Sequence, residues 1–320
     1  MQSTAGKKST FAYSIRPLVE SDIPAFIDHT NECARLEEAV EAVTLEEWVE
    51  WYNSPMNADH QTLALLTNGD GSEGPIVGTM SIEVRPEDTN AWSWLHVHPD
   101  YRDNGVGSAL YDEAVRLTHE LGANTLHMTP SSHAKLLIDF LTRRGHQLER
   151  WFWDMQLPAG HEIASAELPA GFTMRTFVHN QDEQLLTDVR NVTFADHYGS
   201  VQRTLEQITH ITTLPDFHAD GVFFAFEGDK VAGFCYTSHD PREWERRGEK
   251  IGHVQLLGVV PEYRGKGLGR VLLLTGSNYL RQYVSVVELG VEGKNNNALA
   301  LYESVGFRQH KAWANMPKEL

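Results

Sequence analysis

Leu256-Leu257-Gly258-Val259-Val260-Pro261-Glu262-Tyr263-Arg264-Gly265-Lys266-Gly267-Leu268-Gly269-Arg270-Val271-Leu272-Leu273-Leu274 decides how the chain is read. An apolar run suited to a buried strand meets a Gly-rich turn, and an apolar helix opens directly behind it. Glycines at alternate positions remove Cβ clashes, so several backbone N–H groups can converge on one point. The helix start adds the positive end of its dipole. This is an anion cradle, and a pyrophosphate is the guest it suits.

Working outward, the stretch has a partner. Val97-His98-Pro99-Asp100-Tyr101-Arg102-Asp103-Asn104-Gly105-Val106-Gly107-Ser108-Ala109-Leu110 repeats Val-x-Pro-acid-Tyr-Arg-x-x-Gly-x-Gly before an apolar helix. Arg264 against Arg102, Gly267 against Gly105 and Gly269 against Gly107 are each offset by 162 residues. Arg144-Gly145-His146 and Val305-Gly306-Phe307 continue the relation at an offset of 161. The chain is a duplication of one domain.

Pattern and turn signals place a strand near Tyr13–Leu18, helices near Asp22–Cys33 and Leu45–Tyr52, the latter behind the N-cap candidate Thr44, and strands at Gln61–Thr67 and Ile76–Val84. The turn composition Asn68–Ser72 separates those two strands. Trp92–Val97 enters the first loop and Gly105–Leu121 leaves it as a helix. Strand Asn124–Thr129, helix Ser132–Arg143 and strands over Gln147–Leu157 follow, with Trp151 and Trp153 on one face. The second copy repeats the order: Phe172–Thr176, helices near Asp182–Asp196 and Val201–Thr212, strands Val222–Glu227 and Val231–Ser238, strand Ile251–Val260, helix Gly267–Tyr283, strand Val286–Val291, helix Asn296–Ser304 and closing strands from Phe307. The expected class is α+β, a mixed α/β arrangement of two tandem domains, each a mostly antiparallel mixed sheet flanked by helices. The expected boundaries are 1–158 for the first domain, 159–171 for a small-residue linker and 172–320 for the second.

A formal charge of −17 over 320 residues argues against a general nucleic-acid binder and mildly favours a cationic or amine substrate. Two cysteines, Cys33 and Cys235, make a disulfide framework a poor expectation and a reduced cytoplasmic setting the default. No window is long and apolar enough to span a bilayer, and the first ten residues lack a signal-peptide core. No metal-ligand spacing stands out, so no metal is expected.

Spacing separates the phosphate-binding loops. A dinucleotide fingerprint needs Gly-x-Gly-x-x-Gly, and the last position falls on Arg270 or Leu272 here. The ATP loop needs Gly-Lys followed by Ser or Thr, whereas Gly265-Lys266 precedes Gly267. What remains is Arg-x-x-Gly-x-Gly after Val-Pro-Glu-Tyr, with Asn295-Asn296-Asn297-Ala298-Leu299-Ala300-Leu301-Tyr302-Glu303-Ser304-Val305-Gly306-Phe307 downstream. This pair of motifs resembles the GNAT acetyltransferase superfamily, which binds acetyl-coenzyme A. The doubled layout is similar to tandem-GNAT proteins, among them those that acetylate a cysteinyl-sugar amine in making mycothiol.

The resemblance implies roles at matching positions. The backbone of Leu257, Gly258 and Val259 would pair with the pantetheine arm, and Arg264, Gly265, Lys266, Gly267, Leu268, Gly269 and Arg270 would surround the pyrophosphate. Asn295 matches an asparagine that contacts acetyl-CoA, and Tyr302 a tyrosine that protonates the leaving thiolate. The first copy has Leu141 and Ala134 at these two positions, so it reads as catalytically inactive. Its Arg102, Gly105 and Gly107 either hold coenzyme A or keep the turn for structural reasons. Many family members carry Glu nine residues before the loop arginine, where this chain has Gln255. His253 lies two residues earlier, on the same strand face by alternation, and an imidazole titrates where a general base should. Glu227, Asp196, His197 and His239 are further acceptor-site candidates. Trp92, Trp94, Trp151 and Trp153 are assigned to packing before a substrate groove.

The expected activity is acetyl transfer from acetyl-CoA to a small-molecule or peptide amine, in the C-terminal domain and by direct attack. A coenzyme A-binding regulator without catalysis, and acetylation of a cysteinyl-sugar amine, are the alternatives. Neither nucleic acid nor membrane is expected as a partner, and a monomer suffices if the two domains form an internal pseudo-dimer.

Overall fold

A computed structural model describes residues 12–52, 60–69, 74–84 and 89–320. Two compact units divide it: 1–150 with 313–320, and 151–312. The division departs from the expected boundaries at both ends of the second half. Residues 313–320 fall within the first unit, and 151–157 within the second. The reason lies in the pairing. The end of the last strand completes the first unit's sheet, and the strand at 150–157 completes the second's.

In the first unit the elements are β1 (Ala12–Pro17), α1 (Ile23–Leu36), α2 (Leu45–Tyr52), β2 (His60–Gly69), β3 (Ile76–Val84), β4 (Asn90–Val97), α3 (Val106–Glu120), β5 (Thr125–Met128) and α4 (Lys135–Arg143). Of the turn expected at 68–72, residues 70–72 lie outside the described residues, as do the first ten. β1 to β4 pair antiparallel in order, and β5 lies parallel to β4.

The second unit takes β6 (Arg150–Leu157) at one edge and continues with β7 (Phe172–Thr176), α5 (Glu183–Thr193), α6 (Leu205–Ile211), β8 (Phe217–Glu227), β9 (Lys230–His239), α7 (Pro241–Arg247), β10 (Ile251–Val259), α8 (Leu268–Leu280), β11 (Val286–Glu292) and α9 (Asn296–Val305). β12 (Arg308–Glu319) begins in this unit and ends in the first. Only β10 and β11 run parallel; the other pairs from β6 to β7 are antiparallel. The sheets are therefore mixed and mostly antiparallel, as expected.

The duplication shows in small devices as well as in topology. Arg16 grips Asp22 with both guanidinium nitrogens at 2.5 and 2.9 Å, and Arg175 grips Asp182 at 2.5 and 2.8 Å. Each carboxylate also takes a backbone N–H, from Val19 and Val178. Thr44 with Glu47 and Thr204 with Gln207 form the same reciprocal cap ahead of α2 and α6. Each cap satisfies two N–H groups that a helix start leaves orphaned, a contribution of about 1 kcal/mol.

Phe224, Phe234, Leu272, Leu273 and Phe307 lie in the second unit's core, which α8 closes by packing on β8, β9 and β10. The segment expected as a linker packs here too: Ile163, Ala166 and Leu168 rest on this core, and His161 donates from Nε2 to the Val305 carbonyl at 3.0 Å. Helix α7 is absent from the sequence reading. Asp240 caps it by accepting from the Arg242 N–H at 2.8 Å, with Pro241 in its first turn, a standard start signal on a segment too short to show periodicity.

Candidate active site

Strands β10 and β11 part company inside the second unit. Their parallel register runs Ile251↔Val286, Gly252↔Val287, His253↔Glu288 and Val254↔Leu289, then stops. Beyond it β10 remains paired with β9 and β11 with β6, so a cleft opens between them. A β-bulge sits at the same point. The β9 register passes from Val254↔Thr237 to Leu256↔Tyr236, leaving Gln255 as the extra residue. The first unit has the matching cleft, since β4–β5 pairing ends at Ser93↔Met128. It lacks the bulge: β3 and β4 pair without a break from Gly78↔Val97 to Val84↔Ala91.

Below each cleft lies a Gly loop. Gly265 and Gly267 have φ of 78° and 85°, and a Cβ at either would meet nothing within 4 Å. Their left-handed backbone and open surroundings form a cradle that an anion can fill, ahead of the α8 N-terminus. Arg264 donates from Nε to the Val259 carbonyl at 3.1 Å, and Arg270 from Nη1 to Ser304 Oγ at 2.8 Å. Lys266 stands 3.5 Å from Glu227. Gly258 serves packing instead, because a Cβ there would lie 2.5 Å from Thr193 Oγ1 on α5.

The first loop keeps the fold and loses the charge. Arg102 repeats the bond to its strand, from Nη2 to the Val97 carbonyl at 3.2 Å, but both its terminal nitrogens are taken by Glu37 at 2.5 Å. Asp103 and Asn104 stand where the second loop has Gly265 and Lys266. Gly105 keeps a φ of 87°, and Gly107 packs near Val97 and Phe140. Beside it is a cavity of 1190 Å³ lined by Trp94, Val97, Arg102, Gly105, Gly107 and Trp313, among others. This cavity belongs to the copy that has Leu141 where the second has Tyr302.

At the floor of the second cleft, His253 sits in a frame of charges. Its Nε2 donates to Glu243 at 2.8 Å, and its Nδ1 lies 3.7 Å from Glu288. Arg247 reaches Glu288 at 2.9 and 3.0 Å and Glu243 at 3.1 Å, and Gln156 donates to Glu288 at 2.6 Å. Burial works against a charge on the imidazole, but the Glu243 bond with the nearby Glu288 outweighs it, so His253 titrates above its ordinary range. Burial likewise opposes ionisation of both glutamates, and their cationic partners overcome it and hold both below the ordinary carboxyl range. Gln255 donates from Nε2 to Ser238 Oγ at 2.9 Å, and Ser238 is the register partner of His253.

Tyr302, on α9, is buried, and its hydroxyl has no hydrogen-bond partner among the described residues. Burial, then the nearby Cys235, pushes it up to about 12, so it carries its proton at neutral pH. Asn295 is the α9 N-cap, accepting the Ala298 N–H at 3.2 Å.

The acetyltransferase (GNAT) family model matches residues 23–146 and again 186–307. The chain belongs to the GNAT family. A mycothiol acetyltransferase of Pseudarthrobacter chlorophenolicus is 30% identical over 260 residues, 78% of this chain and 79% of the relative. One from Saccharomonospora viridis is 32% identical over 247 residues, covering 76% and 79%. Among solved structures, a GCN5-related N-acetyltransferase from Sphaerobacter thermophilus aligns with TM-score 0.74 at 20% identity, covering 99% of this chain and 97% of that one. A tandem GNAT protein from the clavulanic acid pathway aligns at 0.75 and 17% identity, covering 96% and 98%. The chain is thus a tandem GNAT N-acetyltransferase that transfers acetyl to an amine. Acetyl-CoA is the donor the family generally uses.

Within this GNAT chain the remaining sequence candidates scatter. Glu227 stands at the loop beside Lys266, not at His253. Asp196 and His197 follow α5, where His197 Nδ1 lies 3.2 Å from the Tyr198 carbonyl. His239 is buried, stacked 4.0 Å from His218 and 4.6 Å from Tyr283. Trp92 stacks on His127 at 4.3 Å and Trp94 lines the first cavity. Trp151 and Trp153, 6.1 Å apart, lie in the second unit, although the sequence reading assigned them to the first. Glu243, Arg247 and Glu288 were missed. Two come from the unforeseen α7, and Glu288 becomes visible only through the register of β11 with β10. Among the described residues no group of three or more His, Cys, Asp or Glu could hold a metal, and no helix is long and apolar enough to cross a membrane.

Proposed function

We propose that acetyl transfer takes place in the second unit alone, with acetyl-CoA seated across Arg264–Gly269 and the acceptor's primary amine beside His253. One contrast carries this reading: the second copy has Tyr302 and Asn295 where the first has Leu141 and Ala134. Acetyl-CoA supplies an acetyl thioester. The loop geometry fits its pyrophosphate, since Gly265 and Gly267 leave open space under backbone N–H groups and Arg264, Lys266 and Arg270 surround it with cations. The free edges of the cleft above the loop suit the amides of a pantetheine arm.

His253 takes one proton from the acceptor's ammonium and frees the amine for direct attack on the acetyl carbonyl. As the C–N bond forms and the C–S bond breaks, Tyr302 gives its proton to the departing sulfur. The proton shed by the new amide nitrogen restores the tyrosine, and His253 returns its own to solvent. Gln255 cannot take a proton and orients the amine instead. Relatives named as mycothiol acetyltransferases support a small-molecule acceptor, and a cysteinyl-sugar amine is the one we assign. Mass spectrometry of a cell extract incubated with enzyme and labelled acetyl-CoA tests this. Label on a cysteinyl-sugar conjugate supports the assignment, and label only on other amines or proteins rejects it.

A further inference from the structure

We propose that Glu243 is a positioning residue for the reaction. It accepts a hydrogen bond from Nε2 of His253 and thereby leaves Nδ1 as the nitrogen that receives the substrate proton. The inference rests on the reading above that His253 is the base.

A neutral imidazole carries one N–H and one lone pair, and a partner on one nitrogen decides which is which. Here Nε2 meets the Glu243 carboxylate at 2.8 Å, a distance that requires N–H on that side because the carboxylate has only lone pairs to offer. Nδ1 is 3.7 Å from Glu288, too far for a hydrogen bond, so its lone pair stays available. Glu288 cannot turn toward it without giving up bonds at both oxygens: Oε1 holds Arg247 and Gln156, and Oε2 holds Arg247. Arg247 also holds Glu243 at 3.1 Å, so one guanidinium fixes both carboxylates.

The charged groups facing the ring are therefore Glu243 and Arg247 from α7 and Glu288 from β11. Helix α7 thus brings an orienting carboxylate to a strand residue, and the arrangement is that of a hydrolase imidazole fixed by an acidic neighbour. Nδ1 accepts the ammonium proton, giving an imidazolium whose charge Glu243 stabilises. Deprotonation to solvent restores the starting tautomer. No other reactant is needed.

The test is a long-range ¹H–¹⁵N spectrum of the imidazoles in the full chain between pH 5 and 9, with His253 assigned by subtraction of a His253→Gln spectrum. The expected neutral form has its proton on Nε2. A proton on Nδ1 overturns the proposal in the unaltered protein, whatever becomes of any variant. In Glu243→Gln the midpoint should fall by about one pH unit, and Glu243→Asp should recover part of that. An unmoved midpoint rejects Glu243 as the positioning group. The base reading is judged apart: thiol release by His253→Gln at the wild-type rate would reject it without altering the tautomer result.

Discussion

Asn295 holds two roles that substitution can separate. Its side-chain oxygen caps α9 through the Ala298 N–H, and the proposed acetyl-CoA contact falls to its amide nitrogen. Asn295→Ala should cost about 1 kcal/mol in urea unfolding, while Asn295→Asp, which keeps a capping oxygen, should hold its stability yet bind acetyl-CoA more weakly. Equal stability loss in both would mean the cap contributes nothing. That Asn295 and Tyr302 share one helix was legible in the sequence, because spacing alone fixes position within a helical motif. The partners of His253 were not. Glu288 lies 35 residues further along the sequence and arrives by strand register, and Glu243 sits on a helix of seven residues. Local pattern carries no information about either meeting.

At the level of elements, the two loops show what duplication preserves. Backbone geometry survives in both, with φ of 85° at Gly267 and 87° at Gly105, whereas side-chain charge does not. The Gly-rich turn itself was readable from the spacing. The Glu37 clamp on Arg102 was not, because it joins residues 65 apart in sequence. Gly267→Val would force a β-branched side chain into left-handed backbone at about 1–2 kcal/mol and place its methyls in the cradle. Calorimetry should then find acetyl-CoA affinity lowered at least about tenfold, since 1.4 kcal/mol corresponds to that factor. Undiminished affinity would place the pyrophosphate elsewhere. The bulge at Gln255 belongs to the same scale. Its sequence looks like ordinary strand, and only pairing with β9 reveals the extra residue.

Across the molecule, each unit buries a histidine that must stay neutral. Burial, then His98 and His96, depresses His29 to about 4, and burial, then His218, depresses His239 to about 4. Folded values below the unfolded one mean that the unfolded chain binds these protons first. Stability is full above about pH 6.5 and drains as pH falls toward 4, by roughly 3 kcal/mol for each group. His253 acts in the opposite sense: its raised value adds stability below the unfolded pKa, lost as pH rises through the folded one. Urea midpoints should therefore be clearly lower at pH 5 than at pH 7.5; equal midpoints would contradict the burial of both rings. The tandem plan itself was legible from the 162-residue offset, although the membership of 151–157 in the second unit and of 313–320 in the first was not. The central claim is that the second copy performs the chemistry with Tyr302 as its acid. Tyr302→Phe keeps the buried ring and removes a hydroxyl that holds no hydrogen bond among the described residues, so fold and cofactor site should survive. Thiol release measured beside acetyl-CoA affinity is then the most direct test. Turnover should fall about a hundredfold with affinity unchanged, and turnover at the wild-type level would contradict the assignment.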